Sequence, residues 1–451
     1  MTDSATHFDV VIVGGGLVGA TTAIALAPLG LKIAVIEPFA IDSNQQPSFD
    51  DRSVALSFGS AQILNEFGIW EFLSSHAFPI SNIHVSDKSH FGMCRLSAAE
   101  FDKSALGYVV ENRSVGLVLK QCFERHNNIS IISSYAVTKV EQLEDNCSLF
   151  LESKKLSTES DQYVQQHDQA TPYTKQVSAK LVIAADGTNS SIANLLNIKK
   201  QRFDYPNTAA ICNIATERKP DGWAYERFTE AGPIALLPLV RNRYSVVWSI
   251  KSDSKHDIQS LTDNEFIAEL QKCFGHRAGK ITRVGERSCY PLQSQLLDQY
   301  YSNRIIFVGN ALHTGHPVAG QGFNLGLRDV ALITELVAIA AHYDCDLGSP
   351  ALRDLYQTNR EIDIIQTLSM TDLLARGFSQ TNKVVAVMRN IMLQGLDNVS
   401  LLKQVFANHA MGLRHDLPFL ARGGKLKECY RQPLAFTFLD RAERQLSSVN
   451  K

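Results

Sequence analysis

The chain opens on a nearly unbroken apolar run, Phe8-Asp9-Val10-Val11-Ile12-Val13. A short run so rich in β-branched residues predicts a strand buried on both faces, as in a parallel sheet. Three glycines follow, then an alanine-rich apolar stretch from Ala20 to Leu29, which predicts a buried helix ending near Gly30. Lys32 to Glu37 is a second short strand with an acid at its end. These pieces form one strand–helix–strand unit. Further on, the apolar spacing predicts helices within 60–74 and 114–125, and strands at Ile129–Ile132 and Ala136–Val140. Leu181–Ala185 and Arg304–Val308 repeat the buried-strand pattern. Between 208 and 290, short apolar runs separated by turn residues predict a separate antiparallel sheet, followed within it by a helix at 261–274. A long helix is expected from Gly322 to about Ala341, and the tail from about 350 to 410 is mostly helical in period. The polar stretch Glu152–Gln176 reads as a solvated hairpin tip.

Composition narrows the class. The 451 residues are 45% hydrophobic and 20% charged, too apolar for a disordered chain. Lys plus Arg is 44 against 46 Asp plus Glu, a net charge of -2, which excludes the electrostatic footprint of a nucleic-acid binder. No two of the eight cysteines form a CxxC pair, so neither a zinc site nor a redox pair is signalled, and the scatter fits a reducing compartment. The first residues lack a basic, apolar signal segment. No run of about 18 apolar residues is present. A cytoplasmic location is expected.

Gly14-x-Gly16-x-x-Gly19 lies between strand and helix, with Leu17 and Val18 inside it and Glu37 ending the next strand. One glycine makes the tight turn, one lets a pyrophosphate approach the backbone, and one lets helix and strand pack closely. The helix N-terminus offers free amides to the phosphates, and Glu37 can accept hydrogen bonds from a ribose. This motif alone does not separate FAD from NAD.

The segment Gly309-Asn310-Ala311-Leu312-His313 … Pro317-Val318-Ala319-Gly320-Gln321-Gly322-Phe323-Asn324 resembles the group A flavoprotein aromatic monooxygenases of the para-hydroxybenzoate hydroxylase class. Asp186-Gly187-Thr188-Asn189-Ser190 and Asp50-Asp51-Arg52-Ser53 are similar to two further motifs of that family, and the four motifs span residues 10 to 330. Asn310, the run His316 to Gly326, Tyr225-Glu226-Arg227-Phe228-Thr229, His84-Val85-Ser86-Asp87 and the stretch Phe274 to Thr282 resemble the ubiquinone-biosynthesis hydroxylase branch most closely. The resemblance implies a Rossmann-like FAD-binding domain built from 1–75, 105–190 and 290–345. It implies an antiparallel-sheet substrate domain at 76–104 and 191–289, with a C-terminal helical region at 346–451. It implies FAD contacts at Gly14, Gly16, Leu17, Val18, Gly19, Glu37, Arg52, Asn112, Asp186, Gly187, Asn310, Pro317, Gly320, Gln321, Gly322, Phe323 and Asn324. The activity it implies is hydroxylation of a polyprenylated phenol of the 2-polyprenyl-6-methoxyphenol type, using NAD(P)H and O2 through a flavin hydroperoxide. Two residues depart from the family. Asn310 stands where most members have Asp and carries no charge, and Ala193 stands where an Arg often follows the Asp-Gly motif.

Other assignments stay open between two readings. His313 and His316 are candidate acid–base groups or loop hydrogen-bonders. Arg52 faces a nicotinamide cofactor or the flavin, or forms a surface ion pair. Glu111-Asn112 contacts FAD or caps a helix. Tyr225, Arg227 and Phe228 line the substrate pocket or pack. In the tail, Val384, Met388 and Ile391 share a helical face that Met392, Leu396 and Val399 extend, which suits peripheral contact with an inner membrane or a partner among other ubiquinone-biosynthesis proteins, or packing on the body. Two rival functions are a prenyl-lipid flavin reductase without oxygen insertion and a non-catalytic flavin-binding subunit.

Overall fold

The computed structural model describes residues 6–39, 52–88, 90–153, 174–379 and 383–449. The elements that build the site are β1 (Thr6–Val13), α1 (Leu17–Leu26), β2 (Ile33–Glu37), β3 (Ser53–Ser57), β4 (Asn82–Asp87), β5 (Gly107–Glu111), α2 (Asn112–Phe123), β6 (Thr174–Ala184), β7 (Lys200–Thr216), β8 (Trp223–Thr229), β9 (Gly232–Leu239), β10 (Arg243–Lys251), α3 (Asp263–Phe274), β11 (Ser288–Leu297), β12 (Ile305–Phe307), α4 (Gln321–His342), α5 (Pro350–Ser379), α6 (Lys383–Asn398) and α7 (Ser400–Met411).

The β-branched run at the start forms β1, the middle of a parallel sheet ordered β12, β6, β1, β2 and then 129–133. From Val10 to Val13 it pairs with Leu181–Ala184 on one side and Ile33–Ile36 on the other, so only apolar side chains suit either face. The hairpin Cys147–Ser153 to β6 is antiparallel, and most of the polar insertion it carries lies outside the described residues. The region expected to be one helix at 60–74 is two, Phe58–Glu66 and Trp70–Leu73, split at Gly68 with φ +68°.

A second, nine-stranded sheet contains β7 to β11 in antiparallel pairs, with β8 running parallel to β4. β11 and residues 313–314 belong to this sheet, although the sequence boundary at 290 assigns β11 from Tyr290 on, and 313–314, to the first domain. One face is covered by α3, through Phe266, Leu270 and Phe274 against Cys212, Leu236, Val246 and Trp248. β3, β5 and 78–80 form a separate three-stranded sheet. All eight cysteines are free thiols. Among the described residues, no helix is long and apolar enough to cross a membrane.

α4 is buried without a break from Asn324 to Ala340, yet it carries charge. Asp329 accepts from His313 Nε2 at 2.6 Å, from the Gly309 amide at 2.8 Å and from Arg360 Nε at 2.7 Å. Arg360 and Arg328 both donate to Asp363, which also meets Arg414. Burial alone would raise the Asp363 carboxyl, but the Arg360 and Arg328 guanidiniums hold it well below the usual carboxylate range. The network ties α4 to α5. Removing one partner leaves an uncompensated buried charge, so Asp329→Ala is expected to destabilise the fold by about 3–5 kcal/mol. The check is the urea midpoint, and Asp329→Ala with Arg360→Met is expected to recover part of the loss.

Candidate functional site

In an open parallel sheet, ligands bind beyond the carboxyl ends of the strands where the strand order reverses. That point lies beside β1. Gly14 follows β1, Glu37 ends β2, Asp186 follows β6 and Gly309 follows β12, so four predicted positions from distant parts of the chain meet at one edge. The loop is held in place by backbone bonds. Gly14 donates to the Ile36 carbonyl at 2.8 Å, and the Ala185 amide to the Val13 carbonyl at 2.8 Å.

The glycines are there for close approach. A Cβ on Gly14 would lie 2.5 Å from the Ala185 carbonyl oxygen, and one on Gly19 would lie 1.9 Å from the Gly14 carbonyl oxygen. Val18 faces outward from the same turn and packs against the later motif. Cβ atoms on Gly309 and Gly326 would each come within 2.9 Å of a Val18 methyl. The two glycine-bearing turns therefore fold together.

The surroundings suit a dinucleotide. Gly16 caps α1 and Gly320 caps α4 without any side-chain hydrogen bond, so the first-turn amides are not taken by a capping side chain. Glu37 is buried; it accepts from the Gly15 amide at 2.6 Å and the Phe39 amide at 3.1 Å, which fixes it under the first turn. Asp186 Oδ2 accepts from Ser191 and Ile192, while Oδ1 is buried with no partner among the described residues. A buried, unsatisfied acceptor at a strand end calls for a donor from a ligand.

The later loop is more structural than its sequence suggests. His313 is directed into the Asp329 network, away from a catalytic position. His316 accepts the Val318 amide on Nδ1 at 3.1 Å and meets Tyr205 edge-on, and burial lowers its pKa to about 4, so it is neutral at pH 7. Asn324 has its whole amide engaged: Oδ1 accepts from Ser57, and Nδ2 donates to the Ala55 and Gly320 carbonyls, each at 2.8 Å. It pins the start of α4 to β3 and leaves no donor for a cofactor. Asn310 and Pro317 are exposed, and Gln321, Gly322 and Phe323 are half-buried at the start of α4. Gly187 and Thr188 lie near this loop, with Thr188 3.2 Å from Thr314. Ala193, where the family often has Arg, is buried in the main apolar core.

A cavity of about 660 Å³ opens between the second sheet and the segment that precedes β3. Arg52 lines it and lies over the Tyr290 ring, 4.9 Å from the centroid. The Arg52 carbonyl receives the Asn112 amide, so these two predicted positions are joined. Glu111 and Arg243 close one side with a bidentate pair at 3.0 Å. Sequence reading missed Tyr290, Arg243 and the Glu111 pairing, because β11 and β10 reach the site only through the sheet register.

The grouping of Tyr225, Arg227 and Phe228 in one pocket does not hold. Side chains alternate along β8, so Tyr225 packs with the α3 face and Arg227 follows it, near Cys273 and Arg277. Phe228 points the opposite way, into a cluster with Val318.

A doubly wound sheet with paired glycine turns at its switch point, joined to an antiparallel sheet above a cavity, defines a two-domain dinucleotide-binding protein. The comparisons fix the group: the chain belongs to the FAD binding domain family, whose pattern matches residues 7–368. It is 34% identical over 418 residues to the ubiquinone hydroxylase UbiL of Rhodospirillum rubrum, covering 92% of each chain. It is 31% identical to the 3-demethoxyubiquinol 3-hydroxylase of Escherichia coli, covering 90% of this chain and 98% of the other. The p-nitrophenol 4-monooxygenase PnpA of Pseudomonas putida shares the fold, with a TM-score of 0.75 at 17% identity over 91% of this chain and all of that one. Gly326→Val should push Val18 away and separate the turns. We expect at least a tenfold loss of FAD affinity, about 1.4 kcal/mol, read as loss of flavin absorbance after desalting.

Proposed function

We propose that this chain is an FAD-dependent monooxygenase that hydroxylates the ring of a polyprenylated phenol in ubiquinone biosynthesis, with NAD(P)H and O2 as co-substrates. The observation that carries this reading is the match of about nine-tenths of the chain, both domains included, to curated ubiquinone hydroxylases. Bound FAD supplies hydride acceptance and oxygen activation, chemistry that no amino-acid side chain offers. The protein's residues hold and orient. Gly14 to Gly19 and the first turn of α1 would take the pyrophosphate, and Glu37 the ribose of the adenosine. Gly320 to Phe323 would place the amides of α4 against the flavin, where they stabilise negative charge on the reduced ring. Asp186 Oδ1 and Asn310 would meet the chain between ring and phosphates. Besides the Glu111–Arg243 pair and Glu286, the cavity beside Arg52 carries Arg241 and Arg283, guanidiniums that suit the phosphates of NAD(P)H.

The polyprenyl tail of such a substrate resides in a bilayer. α6 and α7 leave Met388, Ile391, Met392, Val399, Leu401 and Val405 exposed, while Arg389, Asn390 and Leu393 face the body. The side chain of Val384 lies outside the described residues. This apolar surface supports docking on the membrane from one side.

Two measurements test the reading. With isotopically labelled O2, one labelled atom is expected in the ring of the product; NAD(P)H oxidation without ring label favours a reductase and overturns it. Replacing Met388, Ile391 and Leu401 together by Glu is expected to weaken co-sedimentation with phosphatidylethanolamine–phosphatidylglycerol vesicles by about tenfold or more, with no change in thermal midpoint.

A further inference from the structure

The cavity face of the second sheet carries an acid that none of the contacts above employs. On β8, Ala224, Glu226 and Phe228 point together, opposite to Tyr225. Ala224 shares a cluster with Val109 of β5 and Leu237 of β9, and Phe228 shares one with Val318 in the loop that precedes α4. Glu226 lies between them. Its register neighbours on that face are Val85 of β4 and Ala235 of β9, followed across the sheet by Val247 and Ile211. None of these side chains can donate a hydrogen bond. Ala235, Val247 and Ile211, like Glu226, are only partly buried at the centre of the sheet. Ile211 also lines the Arg52 cavity.

Glu226 has no hydrogen-bond or ionic partner among the described residues. The titratable groups on the elements around it are engaged elsewhere. Asp87 of β4 is held by Arg389 and Asn390 of α6. Asp372 of α5 is held by Tyr205 and Arg376. His316 in the loop is neutral. Burial alone, with no charged neighbour contributing, pushes the Glu226 carboxyl up to about 7.

We propose that Glu226 is the catalytic base for the phenol hydroxyl of the ring substrate; this rests on the hydroxylase reading above. The phenol O–H bond breaks, its proton moves to a Glu226 carboxylate oxygen, and the electron pair stays on the ring oxygen. Delocalised into the ring, that pair makes carbon nucleophilic toward dioxygen activated at the reduced flavin. After the oxygen atom is delivered, the hydroxylated carbon loses its hydrogen as a proton to the oxygen the oxidant retains. Glu226 returns its own proton to the ring oxygen, and the ring is aromatic again. A base whose pKa lies near the working pH is suited to this transfer.

The test uses the full FAD-loaded chain with 2-methoxy-6-farnesylphenol in micelles, read as hydroxylated product. In the parent protein kcat should rise with pH through about 7, since the base acts only when ionised. Glu226→Gln should lower kcat by about 10²–10⁴-fold and abolish that limb, with FAD content and thermal midpoint retained; Glu226→Asp should recover part of the rate. A second readout needs no turnover: the ionisation of a bound fluorinated 2-methoxyphenol, followed by fluorine NMR on the oxidised protein. Removing the Glu226 charge should lower the bound phenol's pKa by about one unit. A Glu226→Gln protein with the parent rate and pH limb overturns the proposal, as does a bound-phenol titration that the substitution leaves unchanged. If the parent protein yields no labelled product while the phenol titration still shifts, the hydroxylase reading falls and the base assignment falls with it, although the contact itself stands.

Discussion

The site depends on how closely α1 and α4 can approach. Val18 sits in the gap where Gly309 and Gly326 present no side chain. That contact brings the first glycine turn, at the start of the chain, against a segment that comes after the entire second sheet. The uncapped N-termini of α1 and α4 belong to one cleft only because of it. A methyl group on any of these glycines would have to displace backbone or a β-branched side chain whose rotamer is stiff.

Much of the fold was legible in the sequence because its strands are short and buried on both sides. β1, β6 and β12 need apolar residues at every position, and that is how Val10–Val13, Leu181–Ala184 and Ile305–Phe307 read. The glycine motif was legible for a similar reason, since each glycine answers a collision. The polar contacts were not. Asn324 looks the same in sequence whether its amide holds a cofactor or pins β3 to α4, and only the three-dimensional neighbours Ala55 and Ser57 decide between them. His313 faces Asp329 because both lie beside the end of β12, a relation that no local pattern contains. The split of Tyr225 from Phe228 was available from strand alternation, but it needed the sheet to show which face borders the cavity.

Charge is distributed unevenly through the second half of the molecule. Four arginine and aspartate side chains neutralise one another between α4 and α5, behind the turn that opens α4. In front of that turn His316 is uncharged at neutral pH, while the Glu226 carboxyl is pushed up to about 7. The helix-end amides add a fixed electrostatic feature on the front side. Electrostatic interactions are stronger there than in water because little competes with them.

The strand order of the parallel sheet has a consequence for biosynthesis. β1 is made first, but one of its two neighbours is β6, and the outer β12 that completes the edge follows the entire second domain. Contacts between such distant segments close large loops and form late. A nascent chain on the ribosome therefore holds β1 as an unpaired apolar edge until β6 emerges, and it has no complete nucleotide cleft until Gly326 has been translated. Flavin capture therefore comes after the whole second domain has been made, an order of events that the topology imposes.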